Sequence, residues 1–195
     1  MPRGKLIVLY GINNLGKTTQ AKLLVEKLNQ KGCQAKYLKY PLYNLEPFGP
    51  MINAYMREGN PLNLSAREFQ IIQVLNRTQY QPTLELDLSS GKIVVAEDYI
   101  GTGIAWGMGA GVDKGFLVQI NQHLLKEDLA FLFEGERFSE AIEAGHHHEQ
   151  NNELTERTRL AHQDLGLELG WLKINSNQSR EEIADQVWDL VQIIL

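Results

Sequence analysis

Short apolar runs alternate with longer segments of helical periodicity along the chain. Leu6–Tyr10 and residues 93–96 are continuous apolar runs of strand length, typical of strands that a sheet buries on both faces. Residues 18–30 instead place their apolar side chains on one helical face. This alternation predicts an α/β domain with a parallel sheet.

The same pattern predicts three more strands and four more helices. Ser65 and Ser179 each stand three residues before a glutamate, and this capping-box spacing predicts that a helix begins after each serine. The helix after Ser65 is expected to extend towards Tyr80. The remaining strands are predicted at residues 35–40, 129–133 and 171–174, and the remaining helices around residues 51–56 and 154–165.

Two features interrupt this pattern. Pro82 is expected to break or kink the helix that follows Ser65, because proline lacks the N–H that a helix needs. The glycine-rich segment 101–115 predicts a mobile loop after the strand at residues 93–96. Because the chain shows no repeat or linker, residues 1–195 are interpreted as one domain.

Residues 11–19 fit the phosphate-binding pattern G-x-x-x-x-G-K-[ST] between a predicted strand and a predicted helix. The alternative is a glycine turn with a surface lysine, but the flanking elements favour a P-loop. Its backbone amides would surround phosphate oxygens, Lys17 would reach the β- and γ-phosphates, and Thr18 would bind Mg²⁺. The chain is therefore expected to bind a nucleoside triphosphate through Gly11, Asn13, Asn14, Leu15, Gly16, Lys17, Thr18 and Thr19.

Two acids end the apolar run at residues 93–96. A P-loop protein needs a carboxylate at a neighbouring strand end to hold hydrated Mg²⁺ opposite the P-loop hydroxyl. Glu97 and Asp98 are therefore predicted, with Thr18, to form the metal site. The alternative is a pair of solvated acids in a loop.

Composition excludes several classes of partner. The formal net charge of −5 argues against binding a nucleic acid polymer, because proteins that bind one carry a basic surface. Cys33 is the sole cysteine, so an internal disulfide is impossible. No apolar run has the length of a membrane span, and the first strand leaves no room for a signal peptide, so a cytoplasmic enzyme is expected.

Taken in order, the motifs resemble the thymidylate kinase family of nucleoside monophosphate kinases, and the resemblance covers nearly the whole chain. It is carried by the P-loop segment 10–20, Lys39-Tyr40-Pro41, Gly49 and Ile52, Asn76-Arg77, the segment 97–106 that begins Glu97-Asp98-Tyr99, and Glu156-Arg157.

The resemblance implies a P-loop NTPase fold, in which helices flank a five-stranded parallel sheet and a lid near residues 137–153 closes over ATP. It also implies a homodimer that transfers the γ-phosphoryl group of ATP to a deoxynucleoside monophosphate, with dTMP to dTDP as the leading reaction. Lys17, Arg77 and Glu97 would be catalytic, with Arg77 bridging acceptor and γ-phosphate. The implied substrate-binding residues are Asn13, Tyr40, Pro41, Gln73, Arg77, Gly103 and Trp106.

Alternatives stay open for two of these residues. Arg77 could be a surface arginine on a polar helix face, and Trp106 could be an ordinary core residue. The three adjacent histidines at 146–148 lack ligand-spaced partners, so a lid that contacts phosphates when protonated is preferred to a metal site.

The chain departs from the family pattern at five positions. Tyr10 and Asn13 replace acids, Gln73 replaces a base-stacking aromatic residue, and Asp98 and Tyr43 replace phosphate-binding arginines. Losing two guanidinium groups leaves two alternatives open: a kinase for an uncharged nucleoside or other small alcohol, or a nucleotide-binding homologue with reduced catalysis. The identity of the acceptor base is also open.

Overall fold

The computed structural model describes residues 2–137 and 152–195. Five strands form one sheet in the order β2-β3-β1-β4-β5, and every pairing is parallel. The sequence prediction of a five-stranded parallel sheet is therefore confirmed. The strands are β1 (Leu6–Tyr10), β2 (Ala35–Lys39), β3 (Ile93–Glu97), β4 (Leu129–Glu134) and β5 (Leu172–Asn175).

Helices cover both faces of the sheet. One face packs against α1 and α7, and the other packs against α3, α4, α5 and α6. Both predicted capping boxes are present, at Ser65 and Ser179. The helices are α1 (Lys17–Gln30), α2 (Phe48–Arg57), α3 (Ala66–Ser89), α4 (Ile100–Gly109), α5 (Lys114–Asn121), α6 (Asn152–Leu169) and α7 (Arg180–Val191), followed by a 3₁₀ turn at Gln192–Ile194.

Pro82 does not break helix α3, because the helix continues to Ser89, and the other predicted outcome, a kink, stays a prediction. A proline inside a helix costs about 3 kcal/mol, through the lost N–H and a clash with the preceding turn. Beyond the proline, Leu84 and Leu88 are almost fully buried in the core. Their burial, at about 1.5–3 kcal/mol for each side chain, offsets that cost.

The prediction of a mobile loop over residues 101–115 is wrong, because α4 and α5 occupy most of this segment. The glycines of α4 permit close packing rather than a turn. An added Cβ at Gly109 would lie 2.3 Å from the hydroxyl oxygen of Thr158 on α6. The sequence does not distinguish a glycine that bends the chain from one that admits a neighbouring side chain.

The predicted lid at residues 137–153 and the histidines at 146–148 lie almost wholly outside the described residues. Their roles stay predictions, as does the division of the chain into one domain. Among residues 2–137 and 152–195, no helix is both long enough and apolar enough to cross a bilayer.

Candidate active site

The segments that follow β1, β2 and β3 enclose a cavity of about 390 Å³ at one edge of the sheet. Open parallel sheets bind ligands at this carboxyl edge, where neighbouring strands connect in opposite directions. The cavity brings together most of the predicted site residues, namely Asn13, Asn14, Gly16, Lys17, Thr18, Thr19, Tyr40, Pro41, Gln73, Arg77, Glu97, Asp98, Gly103 and Trp106.

Gly11 and Leu15 lie on the opposite side of the P-loop, against β4. Gly11 has a φ of 131°, and an added Cβ would lie 2.5 Å from the carbonyl oxygen of Phe133. Gly16 is the N-cap of α1 and has no side chain to cap the helix. The first N–H groups of α1 therefore suit an anion.

Lys17 is buried at the first position of α1. Its ammonium donates to the carbonyl oxygens of Gly11 and Ile12, at 2.8 and 2.7 Å. It also lies 3.7 Å from Oδ1 of Asp98. Its charge is therefore held between the loop backbone and the end of β3.

The two acids at the end of β3 differ in their surroundings. Burial alone would raise the pKa of Glu97, but Lys17, Lys39 and a hydrogen bond from Tyr37 outweigh burial and lower it. Burial raises the pKa of Asp98, and the neighbouring charge of Glu97 adds to this effect. Glu97 is therefore the carboxylate that stays ionised more readily.

Thr18 and Glu97 both lie beside one phenol oxygen. The hydroxyl of Tyr37 donates to Oε2 of Glu97 at 2.5 Å, and the side chain of Thr18 lies near the same hydroxyl. A hydroxyl, one or two carboxylates and substrate phosphates are the oxygen ligands that Mg²⁺ prefers. The residues present therefore fit Mg²⁺ bound jointly with a nucleotide. Among the described residues, no cluster of three or more His, Cys, Asp or Glu residues suits a metal held by protein alone.

Arg77 projects from α3 into the other end of the cavity and is not a surface residue, since it is 3 % exposed. Its Nη1 donates to Asn121 at 3.3 Å. Burial lowers the pKa of its guanidinium, although arginine stays protonated. In the described part of the chain, Arg77 Nε and the hydroxyls of Tyr40 and Tyr99 are buried without a hydrogen-bond partner. These atoms suit the polar groups of a bound substrate.

Sequence reasoning missed several residues of the cavity wall. Lys39 pairs with Glu97 across β2 and β3, and its ammonium lies 2.9 Å from Oε1 of that residue. Lys39 is the last residue of one strand, and Glu97 is the last residue of the neighbouring strand. This pairing of strand ends could have indicated that Lys39 belongs to the site. Arg57 carried no comparable signal, because it is not itself part of any motif in the sequence. The other missed residues are Met56, Tyr99 and Thr102.

The structure also accounts for some departures from the family pattern. Tyr10 is fully buried, stacks on Trp171 with ring centroids 4.1 Å apart, and donates to Oε1 of Glu127 at 3.0 Å. Tyr43 and Gln73 both line the cavity. Trp106 is 7 % exposed and lines the same cavity, so it is both a core residue and a wall of the site.

Comparison with known proteins identifies the family. The family model for thymidylate kinase matches residues 9–187. The chain belongs to the thymidylate kinase family. The resemblance of the ordered motifs is therefore confirmed.

Relatives within the thymidylate kinase family match over most of their length. The thymidylate kinase of Homo sapiens is 28% identical over 194 residues, which cover 95% of this chain and 88% of that protein. The thymidylate kinase of Plasmodium falciparum is 27% identical over 199 residues, covering 95% and 88% respectively. The structure of thymidylate kinase from Candida albicans superposes with a TM-score of 0.82 at 20% identity, covering 98% of this chain and 92% of that one. This likeness shows the same fold.

Proposed function

We propose that this protein transfers the γ-phosphoryl group of ATP to dTMP, giving dTDP and ADP. The observation that carries the proposal is that Lys17 and Arg77 line one cavity in a chain of the thymidylate kinase family. The P-loop lysine marks the donor end of this cavity, and the arginine from α3 marks the acceptor end.

The reaction needs no covalent intermediate with the protein. An oxygen of the dTMP phosphate forms a bond to the γ-phosphorus, and the bond between that phosphorus and the β–γ bridging oxygen breaks. Catalysis then consists of positioning the two phosphates and stabilising the negative charge on the transferred group. Lys17 supplies positive charge to the donor phosphates, and the planar fork of Arg77 suits contact with both phosphates.

Mg²⁺ is part of the proposal. When bound, it would neutralise charge on the β- and γ-phosphates. Thr18 and Glu97 would hold it, with Asp98 close to both. Assembly as a homodimer and location in the cytoplasm also stay predictions.

A kinase for an uncharged acceptor is less well supported. Asp98 favours it, because a carboxylate near the acceptor would repel a phosphate. However, Arg77 lines the same cavity, and among the described residues its buried Nε has no hydrogen-bond partner, so positive charge remains for a phosphate there. The relatives from Plasmodium falciparum and Homo sapiens are thymidylate kinases, a name that implies a phosphorylated acceptor.

An ADP-release assay on the full chain tests the proposal. With Mg-ATP present, dTMP, dUMP, dGMP, dCMP, dAMP and thymidine are compared as acceptors, and a Lys17→Ala variant reports contaminating activity. We expect dTMP to give the highest kcat/KM. Turnover of thymidine in preference to dTMP would favour the uncharged-acceptor kinase, and ATP binding without turnover of any acceptor would favour the homologue with reduced catalysis.

A further inference from the structure

The side chains of Tyr37, Lys39 and Glu97 meet on the face of the sheet that α1 covers. Tyr37 and Lys39 are two residues apart on β2, so their side chains point to the same face. In the register of β2 and β3, Lys39 pairs with Glu97 and Tyr37 pairs with Val95. Val95 belongs to the core cluster that α1 completes, and Tyr37 packs against that cluster. The phenol therefore lies between the strand pair and the P-loop helix.

Two donors from β2 hold the carboxylate of Glu97. The hydroxyl of Tyr37 donates to Oε2 at 2.5 Å, and the ammonium of Lys39 donates to Oε1 at 2.9 Å. Because the donors act on different oxygens, together they fix the plane of the carboxylate. An ionised carboxylate has about four lone-pair sites, so each oxygen keeps one for a cation or for a water molecule bound to that cation.

Of these two donors, Tyr37 is the more rigid. The side chain of Lys39 is 48% exposed, and an ion pair made by an exposed, flexible side chain is weak and screened by salt. Tyr37 is half-buried, and a tyrosine has only two side-chain torsions to restrain. Its bond to Glu97 has the short length of a charge-assisted hydrogen bond. The phenol is therefore the donor that sets the orientation of Glu97.

The hydroxyl of Tyr37 also lies beside the other predicted metal ligand. The side chain of Thr18, the second residue of α1, lies near this hydroxyl. One turn further along α1, the ammonium of Lys22 is 5.9 Å from the centroid of the Tyr37 ring. The described residues around the cavity include Thr18 and Glu97 but not Tyr37. Tyr37 therefore stands behind the two predicted ligands.

We propose that Tyr37 is a positioning residue for the magnesium site, because its hydroxyl fixes the carboxylate of Glu97 beside Thr18. The inference rests on the proposed function, which includes Mg²⁺ bound together with ATP. Groups that hydrogen-bond to metal ligands orient those ligands, and losing such a group costs about 10- to 100-fold in metal affinity or activity. Tyr37 acts through Glu97 and makes no contact with the cavity of its own.

The test measures metal binding rather than turnover. Mn²⁺ is the probe, because it prefers the same oxygen ligands as Mg²⁺ and its free concentration can be followed by electron paramagnetic resonance. It is titrated into the full chain with a non-hydrolysable ATP analogue bound. Tyr37→Phe is expected to weaken Mn²⁺ binding by about tenfold or more. Binding of the same analogue with metal ions chelated should change by less than about twofold, because the phenol is behind the ligands.

A matched control and a double variant separate positioning from packing. Tyr80→Phe removes the hydroxyl of another half-buried tyrosine, which accepts from Lys36 outside the cavity, and it should leave Mn²⁺ affinity unchanged. Glu97→Gln should itself weaken Mn²⁺ binding. Adding Tyr37→Phe to Glu97→Gln should then change the affinity by less than about twofold, because Tyr37 acts through that carboxylate.

Three results would overturn the inference: unchanged Mn²⁺ affinity in Tyr37→Phe, an equal loss in Tyr80→Phe, or losses that simply add in the double variant. Phenylalanine keeps the ring that packs against the core, and urea denaturation checks that each variant is folded. Failure of the proposed function is distinguishable. In that case the unmodified protein would bind Mn²⁺ no more tightly than the free ATP analogue does, or would phosphorylate none of the acceptors.

Discussion

The guanidinium of Arg77 occupies the space that a side chain at position 103 would need. A Cβ built on Gly103 would lie 2.3 Å from Nη2 of Arg77, well inside van der Waals contact. Arg77 projects from α3 and Gly103 lies in the first turn of α4. The absence of a side chain on α4 is what lets a long buried arginine reach the cavity.

We therefore expect Gly103→Ala to impair activity by displacing Arg77. A misplacement of about 1 Å in a positioning group can cost about 100-fold in rate, so kcat/KM for dTMP should fall by about tenfold to 100-fold. Overpacking should also lower the free energy of unfolding by about 1–3 kcal/mol. Steady-state kinetics and urea denaturation measure the two effects.

Gly115→Ala is the control for Gly103→Ala. Gly115 lies in helix α5, and the nearest atom to its added Cβ is Oδ1 of Asp113, at 3.2 Å. This variant should keep its activity. An equal kcat/KM for dTMP in the Gly103→Ala and unmodified proteins would show that Arg77 can move without loss of activity.

Removal of the P-loop ammonium should abolish most nucleotide binding. In Lys17→Ala, ATP affinity is expected to fall by about tenfold to 100-fold, because a hydrogen-bonded charge contributes about 1.5–3 kcal/mol. Titration calorimetry with Mg-ATP measures the change. Lys22→Ala is the control, since Lys22 is exposed on the same helix and does not line the cavity. Equal ATP affinity in Lys17→Ala and the unmodified protein would refute the P-loop assignment.

Asp98→Asn should stabilise the protein at neutral pH. Burial raises the pKa of Asp98 in the folded state, so this carboxyl favours folding below its unfolded pKa, about 3.9, and loses that benefit as the pH rises through the folded pKa. Asparagine carries no charge, can accept from Thr102, and tolerates the φ of 61° at this position.

Melting temperatures across a pH series, with metal ions chelated, measure this effect. The variant should melt above the unmodified protein at neutral pH, and the difference should shrink as the pH approaches about 4. A lower melting temperature for the variant at neutral pH would mean that the pairing of Asp98 with Lys17 outweighs its burial.

Asn76→Ala should destabilise the fold and the acceptor end together. The substitution leaves the N–H and carbonyl of Leu42 without their side-chain partners, at about 1–2 kcal/mol each. We expect a loss of about 2–4 kcal/mol in urea denaturation and a raised KM for dTMP. Gln30→Ala, which removes an exposed amide on α1, should change neither quantity. An unchanged KM in Asn76→Ala would show that the loop keeps its position without the two hydrogen bonds from Asn76 to Leu42.

Local patterns were sufficient for most elements of the fold. The strands, the two capping boxes and the P-loop each depend on residues close together in sequence, because backbone hydrogen bonding and periodicity act over a few residues. The two discrepancies between prediction and structure concern residue types that occur in two different structural contexts. Pro82 can end a helix, and the glycines of α4 can mark a turn, but packing against the core decided both cases.

The residues of the candidate site likewise fall into those that the sequence predicts and those that it does not. The P-loop residues and the acids at the end of β3 could be predicted, because one motif and one strand end carry them. The stacking of Arg57 on Tyr43 could not be predicted, since the two residues belong to different segments and meet only after α2 packs against α3.

The order of strand, loop and helix, the phosphate-binding loop and the family can be derived from the amino-acid sequence alone, because short contiguous patterns encode them. Tertiary contacts set which cations line the cavity and which of the two acids, Glu97 or Asp98, stays ionised more readily. Burial and distances between segments set those properties, through strand order and helix packing that no local pattern contains.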